Sequence, residues 1–368
     1  MTWAELHGES EKLAAEAQLA MRARNADKAI ELYKRAADLE WRAYNSLDIS
    51  KERTRGITAV STVALWFKAN EYTRAEQCAY SVLADSSMPA FARDDLRNLV
   101  QAIWTESSKQ KAGVTFSPGH VLVSVRGGEV VTGGAPLDLI IDKVQAIQSL
   151  FYRTIEFLNS VAFRKRGRPS KELQESCRPW LFQSAPGSYQ FSVAIERPKQ
   201  LDLFRKEVEP EQVANRFLEI VRASSYQDST QLERLVPDER YRDTFLKLTR
   251  NLAPTGKSFD RIEFRSSGET RPVALGVEAR ASINQQLRNK PRGVKTGDQN
   301  RVELKGTLRA VHLDKDWLEI VTDDVSTRIV GLQDTVDDVI GPMVNRLVLV
   351  RAYRVLKVYR FLDIELIE

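Results

Sequence analysis

The sequence is poor in the residue types that build metal and disulfide sites. Its 368 residues include two cysteines and three histidines. Cys78 and Cys177 lie far apart without a Cys-x-x-Cys spacing, which argues against a disulfide framework and a structural zinc site. His7, His120 and His312 fall in three different regions, so no His-x-x-x-His metal pair exists. We therefore expect no metal, and a reducing cytoplasm fits this cysteine usage best.

Long apolar runs are absent as well. The N-terminus, MTWAELHGESEKLAAEAQ, lacks the basic start and the uninterrupted apolar core of a signal peptide, and no later run has the length that spans a bilayer. With 42% hydrophobic and 29% charged residues, the composition is that of a globular protein long enough for two or three domains. We expect an unexported cytoplasmic protein that has no membrane partner.

Neither sign of charge dominates the chain. Lysine and arginine total 55 against 50 acidic residues, a formal charge of +5. Such a mild positive field favours an anionic partner only slightly, because it raises encounter rates without choosing a target. The glycine spacings of nucleotide-binding loops, GxGxxG and GxxxxGK[ST], are also missing, so we expect no cofactor.

The first hundred residues have the periodicity of paired helices. A polar break, RARNADK, separates two halves in which small and bulky apolar residues recur at three- and four-residue steps. The residues on these steps are Leu13, Ala17, Ala20, Ala29, Tyr33 and Ala36. A second copy with the turn KANEYTRAE follows, and Ala75 there corresponds to Ala29 in the first copy.

This pattern resembles the tetratricopeptide repeat over about residues 10–105. The repeat has an alanine, an aromatic residue and a second alanine at fixed spacing, which Ala29, Tyr33 and Ala36 supply. The second unit departs from the family, with Ala79 at the aromatic position and Val82 at the second alanine position.

The resemblance implies a concave groove that binds a protein. Tyr33, Trp66 and Tyr72 are the candidate contact residues of such a groove. The alternative is that two or three repeats form only a folded scaffold.

Strands and helices alternate irregularly in the central region, residues 113–283. HVLVSVRGGEVVTGGAPLD predicts two strands around Gly127-Gly128, an amphipathic helix should run from about Leu137 to Phe163, and further strands follow at SYQFSVAIE and around Ser267-Gly268. The stretch CRPWLFQSAPG, which precedes SYQFSVAIE, is turn-rich. The regular βαβ rhythm of a doubly wound sheet is missing, which predicts an α+β domain. This region is similar to the middle region of uncharacterised bacterial multidomain proteins, a similarity that implies no activity.

The stretch FRKRGRPSKE is the most basic segment of the chain. Its positive residues are Arg164, Lys165, Arg166, Arg168 and Lys171. The segment resembles an AT-hook, whose Gly-Arg-Pro core lies in the minor groove of A·T-rich DNA. In such a hook Arg166 and Arg168 would enter the groove, and the lysines would contact phosphates.

The same segment is also explained as a basic turn between two helices. It follows a long predicted helix, and Pro169 with Ser170 suits the start of another helix. Hooks normally occur in flexible tails, which favours the turn. The five charges remain exposed in either interpretation, so a phosphate-contacting loop is expected to persist.

A polar stretch, NQQLRNKPRGVKTGDQN, predicts a linker over residues 284–300. It carries the second basic patch, formed by Arg288, Lys290, Arg292 and Lys295. A solvated charge run is the usual explanation of such a segment, and a nucleic-acid-binding arm is the alternative.

The last region, residues 301–368, predicts five short strands and one helix. A small barrel of SH3 or OB type would bury the edges of these strands. OB barrels bind single strands through aromatic and basic side chains, which Trp317, Arg351, Tyr353, Arg354, Lys357, Tyr359 and Arg360 would supply. Small barrels also serve as protein-docking modules, so the fold does not decide the function.

Catalytic residues are hard to find in this sequence. Glu303 and Lys305 share a strand face with Asp298 upstream, as in metal-dependent nucleases, although the spacing is tighter than usual. An exposed Glu-Lys pair on an edge strand is the simpler explanation.

Taken together, the sequence predicts a non-catalytic, multidomain α+β adaptor or regulatory subunit. Its expected parts are a tetratricopeptide-like helical domain at 1–110, the central α+β domain, the linker and the small C-terminal barrel. A protein partner is expected, nucleic-acid binding through the two basic segments is the alternative, and a nuclease is the third possibility. The oligomeric state is left open.

Overall fold

The computed structural model describes residues 1–111, 121–131, 134–183, 189–196, 210–266, 272–288, 301–332 and 337–367. The chain divides into two compact units. One comprises Met1–Val114 with Phe182–Gly187, and the other comprises Thr115–Leu181 with Ser188–Glu368. We call the first the helical unit and the second the α+β unit.

The described part of the helical unit contains five helices. They are α1 (Trp3–Arg22), α2 (Ala26–Asn45), α3 (Glu52–Lys68), α4 (Tyr72–Leu83) and α5 (Ala90–Lys111). The hydroxyl of Thr2 accepts from the N–H of Glu5, whose carboxylate accepts from the N–H of Thr2, so a capping box starts α1. Fully buried alanines, including Ala17, Ala29 and Ala36, allow close packing of the helices.

The turns that join α1 to α2 and α3 to α4 have the same geometry. Arg24 and Asn70 both have φ 58°. In both turns the next residue donates its N–H to the carbonyl five positions earlier, at 2.9 Å and 3.1 Å. These left-handed helix ends satisfy the last carbonyls of α1 and α3 in the same way.

The connections that leave α2 and α4 also repeat. Asp48 accepts from the N–H and the hydroxyl of Ser50 at 2.9 Å and 2.6 Å, and Asp85 accepts from the same groups of Ser87 at 2.9 Å and 2.7 Å. The five helices are thus consistent with a helical repeat region. The units differ in length because α2 has 20 residues and α4 has 12.

The α+β unit contains a mixed set of elements. Its helices are α6 (Leu137–Leu158), α7 (Lys171–Ser176), α8 (Pro210–Ser225), α9 (Thr230–Leu235), α10 (Glu239–Leu252), α11 (Val277–Arg288) and α12 (Asp337–Ile340). Its strands are β1 (Val121–Arg126), β2 (Pro179–Gln183), β3 (Tyr189–Ile195), β4 (Arg261–Ser266), β5 (Val273–Leu275), β6 (Arg301–His312), β7 (Trp317–Thr322), β8 (Val325–Val330), β9 (Leu347–Val355) and β10 (Val358–Leu366).

The first sheet has the strand order β2-β3-β1-β4-β5. Its central strand β1 is antiparallel to both neighbours, and Val123 lies opposite Phe191 on one side and Phe264 on the other. Helices α6 and α8 meet through Phe151 and Phe217, whose rings stack at 4.2 Å. These residues belong to one apolar core.

The C-terminal sheet has the order β10-β8-β7-β6-β9, and β9 pairs with β10 to close the ring of strands. Strands β8 and β10 pair in parallel. Its buried residues Leu308, Ile320 and Val350 belong to the same core as the first sheet.

The apolar core bears on the boundaries predicted from the sequence. The central region and the C-terminal sheet belong to the same compact unit, and one cluster of buried apolar residues extends from Val121 to Ile364. The predicted linker begins inside a helix: residues 284–288 end α11, where Leu287 is buried. Residues 289–300 lie outside the described ranges.

Three local predictions also differ from the structure. The hairpin around Gly127-Gly128 is a single strand followed by isolated bridges, because β3 and β4 already occupy both edges of β1. Helix α6 ends at Leu158 rather than Phe163, and Ser160 next to it has φ 52°. The segment around Trp180, predicted as turns, forms β2.

Candidate functional site

The basic loop, residues 159–170, connects α6 to α7. The hydroxyl of Tyr241 on α10 donates to the carbonyl of Val161 at 3.1 Å. At the other end Ser170 caps α7, as its position before the predicted helix indicated, and accepts from the N–H of Leu173 at 3.2 Å. The loop is therefore held to the body of the α+β unit at both ends.

A buried ion-pair network holds the first half of the loop. Arg153, which is fully buried, donates to Asp338 at 2.7 Å and to Glu156 at 3.2 Å. Arg164 donates to Glu156 at 2.7 Å and to Asp338 at 3.0 Å. Burial alone lowers the pKa of Arg164, but the carboxylates of Glu156 and Asp338 outweigh it and raise that pKa. We call these four residues the first network.

The tip of the loop also binds the C-terminal part of the chain. Arg166 donates to the carboxylate of Asp314 and to the carbonyl of Leu313. The N–H of Gly167 donates to the carboxylate of Asp337. Gly167 has φ 83°, which a residue with a side chain rarely adopts. The glycine of the RGRP sequence therefore makes a structural turn.

The five cations of the basic segment thus have different surroundings. Arg164 and Arg166 are paired with carboxylates of the same unit. Lys171 is exposed and lies 3.7 Å from Glu175. Lys165 and Arg168 are exposed and have no ion pair to any residue that the structure describes. The field of the segment is consequently weaker than its sequence indicates.

The second basic patch is described only at its first residue. Arg288 is the last residue of α11, and its guanidinium lies 4.0 Å from the carboxylate of Glu303. Lys290, Arg292 and Lys295 lie outside the described residues.

A second network connects α10 and α11 to β9 and β10. Arg250, which is fully buried, donates to the two oxygens of Asp363 at 2.5 Å and 3.1 Å. Arg351 donates to Asp363 at 3.1 Å and also to Glu365, and Arg280 donates to Glu365 at 3.1 Å. We call these five residues the second network.

The charges of the second network shift the pKa of both carboxyl groups. Burial raises the pKa of Asp363, but Arg250 outweighs it and lowers that pKa to about 2. Burial likewise raises the pKa of Glu365, and the neighbouring arginines again lower it. Both groups are therefore carboxylates at neutral pH, and the network is ionised.

The residues predicted to line a protein-binding groove have mostly structural positions. Tyr33 and Trp66 are buried in the core of the helical unit. Lys68 and Arg74 lie over their rings, at 5.7 Å and 5.0 Å from the ring centroids. Both rings therefore contribute mainly to the packing of the helical unit. Tyr72 is half-buried and remains a candidate.

The predicted nuclease residues do not form a metal site in the part of the chain that is described. Glu303 and Lys305 are exposed on β6, and Glu303 accepts from Arg351 at 3.0 Å. Asp298 and His120 lie outside the described residues. Among those that are described, no group of three or more histidine, cysteine, aspartate or glutamate side chains is arranged to hold a metal ion.

The aromatic side chains of the C-terminal sheet are covered by arginines of the same unit. Arg328 lies 4.4 Å from the ring centroid of Trp317, and Arg301 lies 5.6 Å from that of Tyr353. Arg354 lies 5.9 Å from the ring centroid of Tyr359. These rings are thus less available for stacking a nucleic-acid base than the sequence indicates. Lys357 and Arg360 are exposed.

A cavity of about 300 Å³ lies beside α6 and α10. Two of its charged side chains have partners within the unit. Asp142 pairs with Arg346 at 2.6 Å, and Lys143 donates to the carbonyl of Asn251 at 2.8 Å.

A groove of about 740 Å³ lies between α6 and the basic loop. Gln145, Gln148, Ser149 and Tyr152 line one wall, and Arg168, Pro169 and Gln174 line the other. The groove also touches Pro342, after α12. We call it the polar groove.

Asp338, Asp363 and Arg250 are the important residues that the sequence did not reveal. Arg153 and Asp338 are 185 positions apart, and Arg250 and Asp363 are 113 apart. No periodicity or motif joins such positions. The one local feature at these positions is the acidic pair Asp337-Asp338, which begins α12 and does not indicate a partner.

No helix in the described ranges combines the length and the apolarity needed to cross a bilayer. Comparison of the chain with family models, with curated proteins and with solved structures finds no match.

Proposed function

We propose that the chain is a non-catalytic adaptor that binds a protein partner through tetratricopeptide-like repeats in its helical unit. The observation that carries this proposal is the recurrence of the turns: two helix pairs share the same left-handed helix end and the same Asp-Ser turn. In repeat proteins of this kind, the first helices of successive pairs line a concave binding surface. The α+β unit, with a small barrel of SH3 or OB type, would serve as a rigid module attached to the repeats.

Exposed residues of the first helices supply the expected contacts. Ile57 on α3 is 50% exposed, and the row that contains it continues with Ser61, Ala64 and Lys68 at four-, three- and four-residue steps. An exposed isoleucine beside small residues offers a shallow apolar surface for a partner side chain. Tyr33 and Trp66 would support this surface from below.

The test is capture of a partner by the full-length protein, followed by binding of the purified partner. Ile57→Asp should weaken binding at least tenfold, since a charge in the centre of an interface is left unpaired. Tyr80→Asp is the matched control, because Tyr80 is 40% exposed on α4, a second helix. Equal loss with both variants, or loss with neither, would argue against the repeat surface.

A second candidate function is nucleic-acid binding by the remaining cations of the basic segment. Lys165 and Arg168 in the basic loop and Lys171 at the start of α7 are all exposed. Binding to A·T-rich duplexes, G·C-rich duplexes and single strands should then be strongly salt dependent, since it releases counterions. Lys165→Ala with Lys171→Ala should reduce the slope of log K against log salt by about 2. An unchanged slope would contradict this function.

A further inference from the structure

We propose that the hairpin of β9 and β10 inserts its tip into the surface of a bilayer that contains anionic lipids. The hairpin tip comprises residues 354–360, at the end of β9 and the start of β10. It uses residues of neither the helical unit nor the basic loop, so it goes beyond both proposed functions. The sequence predicts no membrane partner because it contains no spanning segment, but a peripheral contact needs none.

Leu356 is the residue of the tip whose position the fold explains least. It is 90% exposed, so it adds little to the core. It is also the first residue of the two-residue turn between β9 and β10, where its φ is 56°. Glycine, asparagine and aspartate are favoured at such angles, and a bulky branched side chain is not. Leucine thus serves neither the packing nor the turn, which indicates a contact outside the chain.

Another two-residue turn of the C-terminal sheet has the usual residues. Between β7 and β8, Asp323 and Asp324 have φ 47° and 61°. Aspartate tolerates these angles because its short side chain can form hydrogen bonds with the local backbone. The same sheet thus makes such a turn without an apolar residue, and the turn geometry does not require Leu356.

Two valines extend the apolar surface of the tip. Val355 ends β9 and Val358 begins β10, and the two residues lie opposite each other in the strand pair. Opposite residues of an antiparallel pair project from the same face. Both valines are exposed. The tip therefore presents three aliphatic side chains on a backbone that the strand pairing holds in place.

Three cations surround this apolar end. Arg354, Lys357 and Arg360 are exposed, and none has an ion pair with a residue that the structure describes. The sequence has no acidic residue from Ala352 to Leu362. Arg351 on the same strand differs, since carboxylates of the second network pair with it. The positive charge of the tip is therefore available to an anionic partner.

A bilayer with anionic lipids offers both a negative surface and an apolar interior. Each lysine or arginine near such a surface strengthens binding about fivefold. Aliphatic side chains gain by leaving water for the boundary of the acyl chains. Anionic lipids give the cytoplasmic leaflet its negative potential, and an unexported protein of the predicted kind meets this leaflet.

A nucleic acid matches only the charge of the tip. An aliphatic side chain finds an apolar environment in a duplex only where a base step is unstacked. Single strands are bound by aromatic faces, but Arg301 and Arg354 lie over the rings of Tyr353 and Tyr359. The combination of exposed aliphatic residues with cations therefore favours the membrane surface.

The experiment measures flotation of the full-length protein with unilamellar vesicles. One set consists of phosphatidylcholine, and the other contains anionic phosphatidylglycerol as about a third of its lipid. The protein should float with the anionic vesicles and not with the neutral ones. Added salt should weaken the binding, because it screens the cations. Equal flotation with both sets, or with neither, would overturn the proposal.

Leu356→Asn separates a membrane contact from a structural role. Asparagine suits the positive φ, so the variant should be at least as stable to heat as the wild type. Its binding to anionic vesicles should nevertheless fall about tenfold. Leu137→Asn is the matched control, because Leu137 is an exposed leucine at the start of α6, and its vesicle binding should not change. Full binding by Leu356→Asn, or equal loss in the control, would contradict the proposal.

Arg354→Gln with Lys357→Gln tests the cations. Loss of two charges at the bilayer surface should weaken binding to anionic vesicles about 25-fold. Lys165→Gln with Lys171→Gln is the matched control, since it removes the same charge from exposed residues outside the hairpin tip. If both pairs weaken binding equally, the vesicles attract the protein only through its overall charge and the proposed site is wrong.

A duplex oligonucleotide provides the competing probe. It should leave the protein on the anionic vesicles at physiological salt. Displacement by the oligonucleotide, with weaker oligonucleotide binding in Leu356→Asn, would make the tip a nucleic-acid site and the membrane proposal wrong. Ile57→Asp should leave flotation unchanged, so failure of this proposal and failure of the adaptor function give different results.

Discussion

The helical unit and the α+β unit bury polar groups in different ways. In the helical unit, the turns are held by bonds between residues two to five positions apart, and buried alanines bring the helices together. In the α+β unit, two fully buried arginines reach carboxylates 113 and 185 positions away. The helical unit depends on local hydrogen bonds and on close packing at small side chains. The α+β unit depends on ion pairs between residues that are far apart in the sequence. Breaking each kind of contact tests this difference.

The largest effect is expected from Asp363→Asn. Asparagine keeps the shape of the side chain but leaves the buried guanidinium of Arg250 without its main anionic partner, which should cost about 3 to 5 kcal/mol of unfolding free energy. Hydrogen exchange should show that α10 and β10 lose protection, whereas α1 and α3 keep theirs. Glu303→Gln is the control: its side chain is 57% exposed in the same region, and its expected cost is about 0 to 1 kcal/mol. Equal loss of protection in the helical unit would show that the ion pair of Asp363 does not act on the α+β unit alone.

The same carboxylate predicts a pH dependence. The folded pKa of Asp363 is about 2, below the ordinary 3.8, so its contribution to stability is present above about pH 4 and is lost as the pH falls towards 2. The shift corresponds to about 2 kcal/mol. Urea unfolding at pH 5 and pH 2.5, followed by near-ultraviolet circular dichroism, should show a smaller difference between wild type and Asp363→Asn at the lower pH. A difference that is constant with pH would contradict this assignment.

Ala36→Leu tests the close packing of the helical unit. Ala36 is fully buried on α2, and the hydroxyl of Ser10 donates to its carbonyl at 2.9 Å. The larger side chain should overpack the core and cost about 1 to 3 kcal/mol in urea unfolding. Ala15→Leu, at an exposed position of α1, should be nearly neutral. If both variants were equally stable, the alanines would not set the helix spacing.

A smaller effect is expected from Asn25→Ala at the start of α2. The side chain of Asn25 accepts from the N–H of Lys28 at 3.2 Å, and loss of such a cap costs about 1 kcal/mol. Hydrogen exchange should increase at the first turn of α2 and leave the α+β unit unchanged. Asn98→Ala within α5 provides the control, because Asn98 is exposed and alanine is the better helix former there. If Asn98→Ala also increased exchange at the first turn of α2, loss of the Asn25 cap would not explain the effect of Asn25→Ala.

The sequence predicted local features of both units. Periodicity and turn chemistry predicted three sets of elements. These are the helix pairs around RARNADK and KANEYTRAE, the helix start at Ser170, and the strands of the last seventy residues. Each of these signals lies within a few residues of the structure that it predicts. Two local predictions failed: the strand around Trp180 was missed, and a hairpin was predicted at Gly127-Gly128. No hairpin forms there because both edges of β1 pair with strands from elsewhere in the chain.

By itself the sequence determined the helix pairs of the helical unit and their shared turn chemistry. The tertiary structure decided which groups surround the RGRP sequence. Arg166 and Gly167 bind Asp314 and Asp337, and Arg164 just before them binds Asp338. Periodicity cannot place these aspartates beside the loop. Hydrogen bonds within a turn are fixed by neighbouring residues, whereas the partner of a buried charge is fixed only when the whole core has formed.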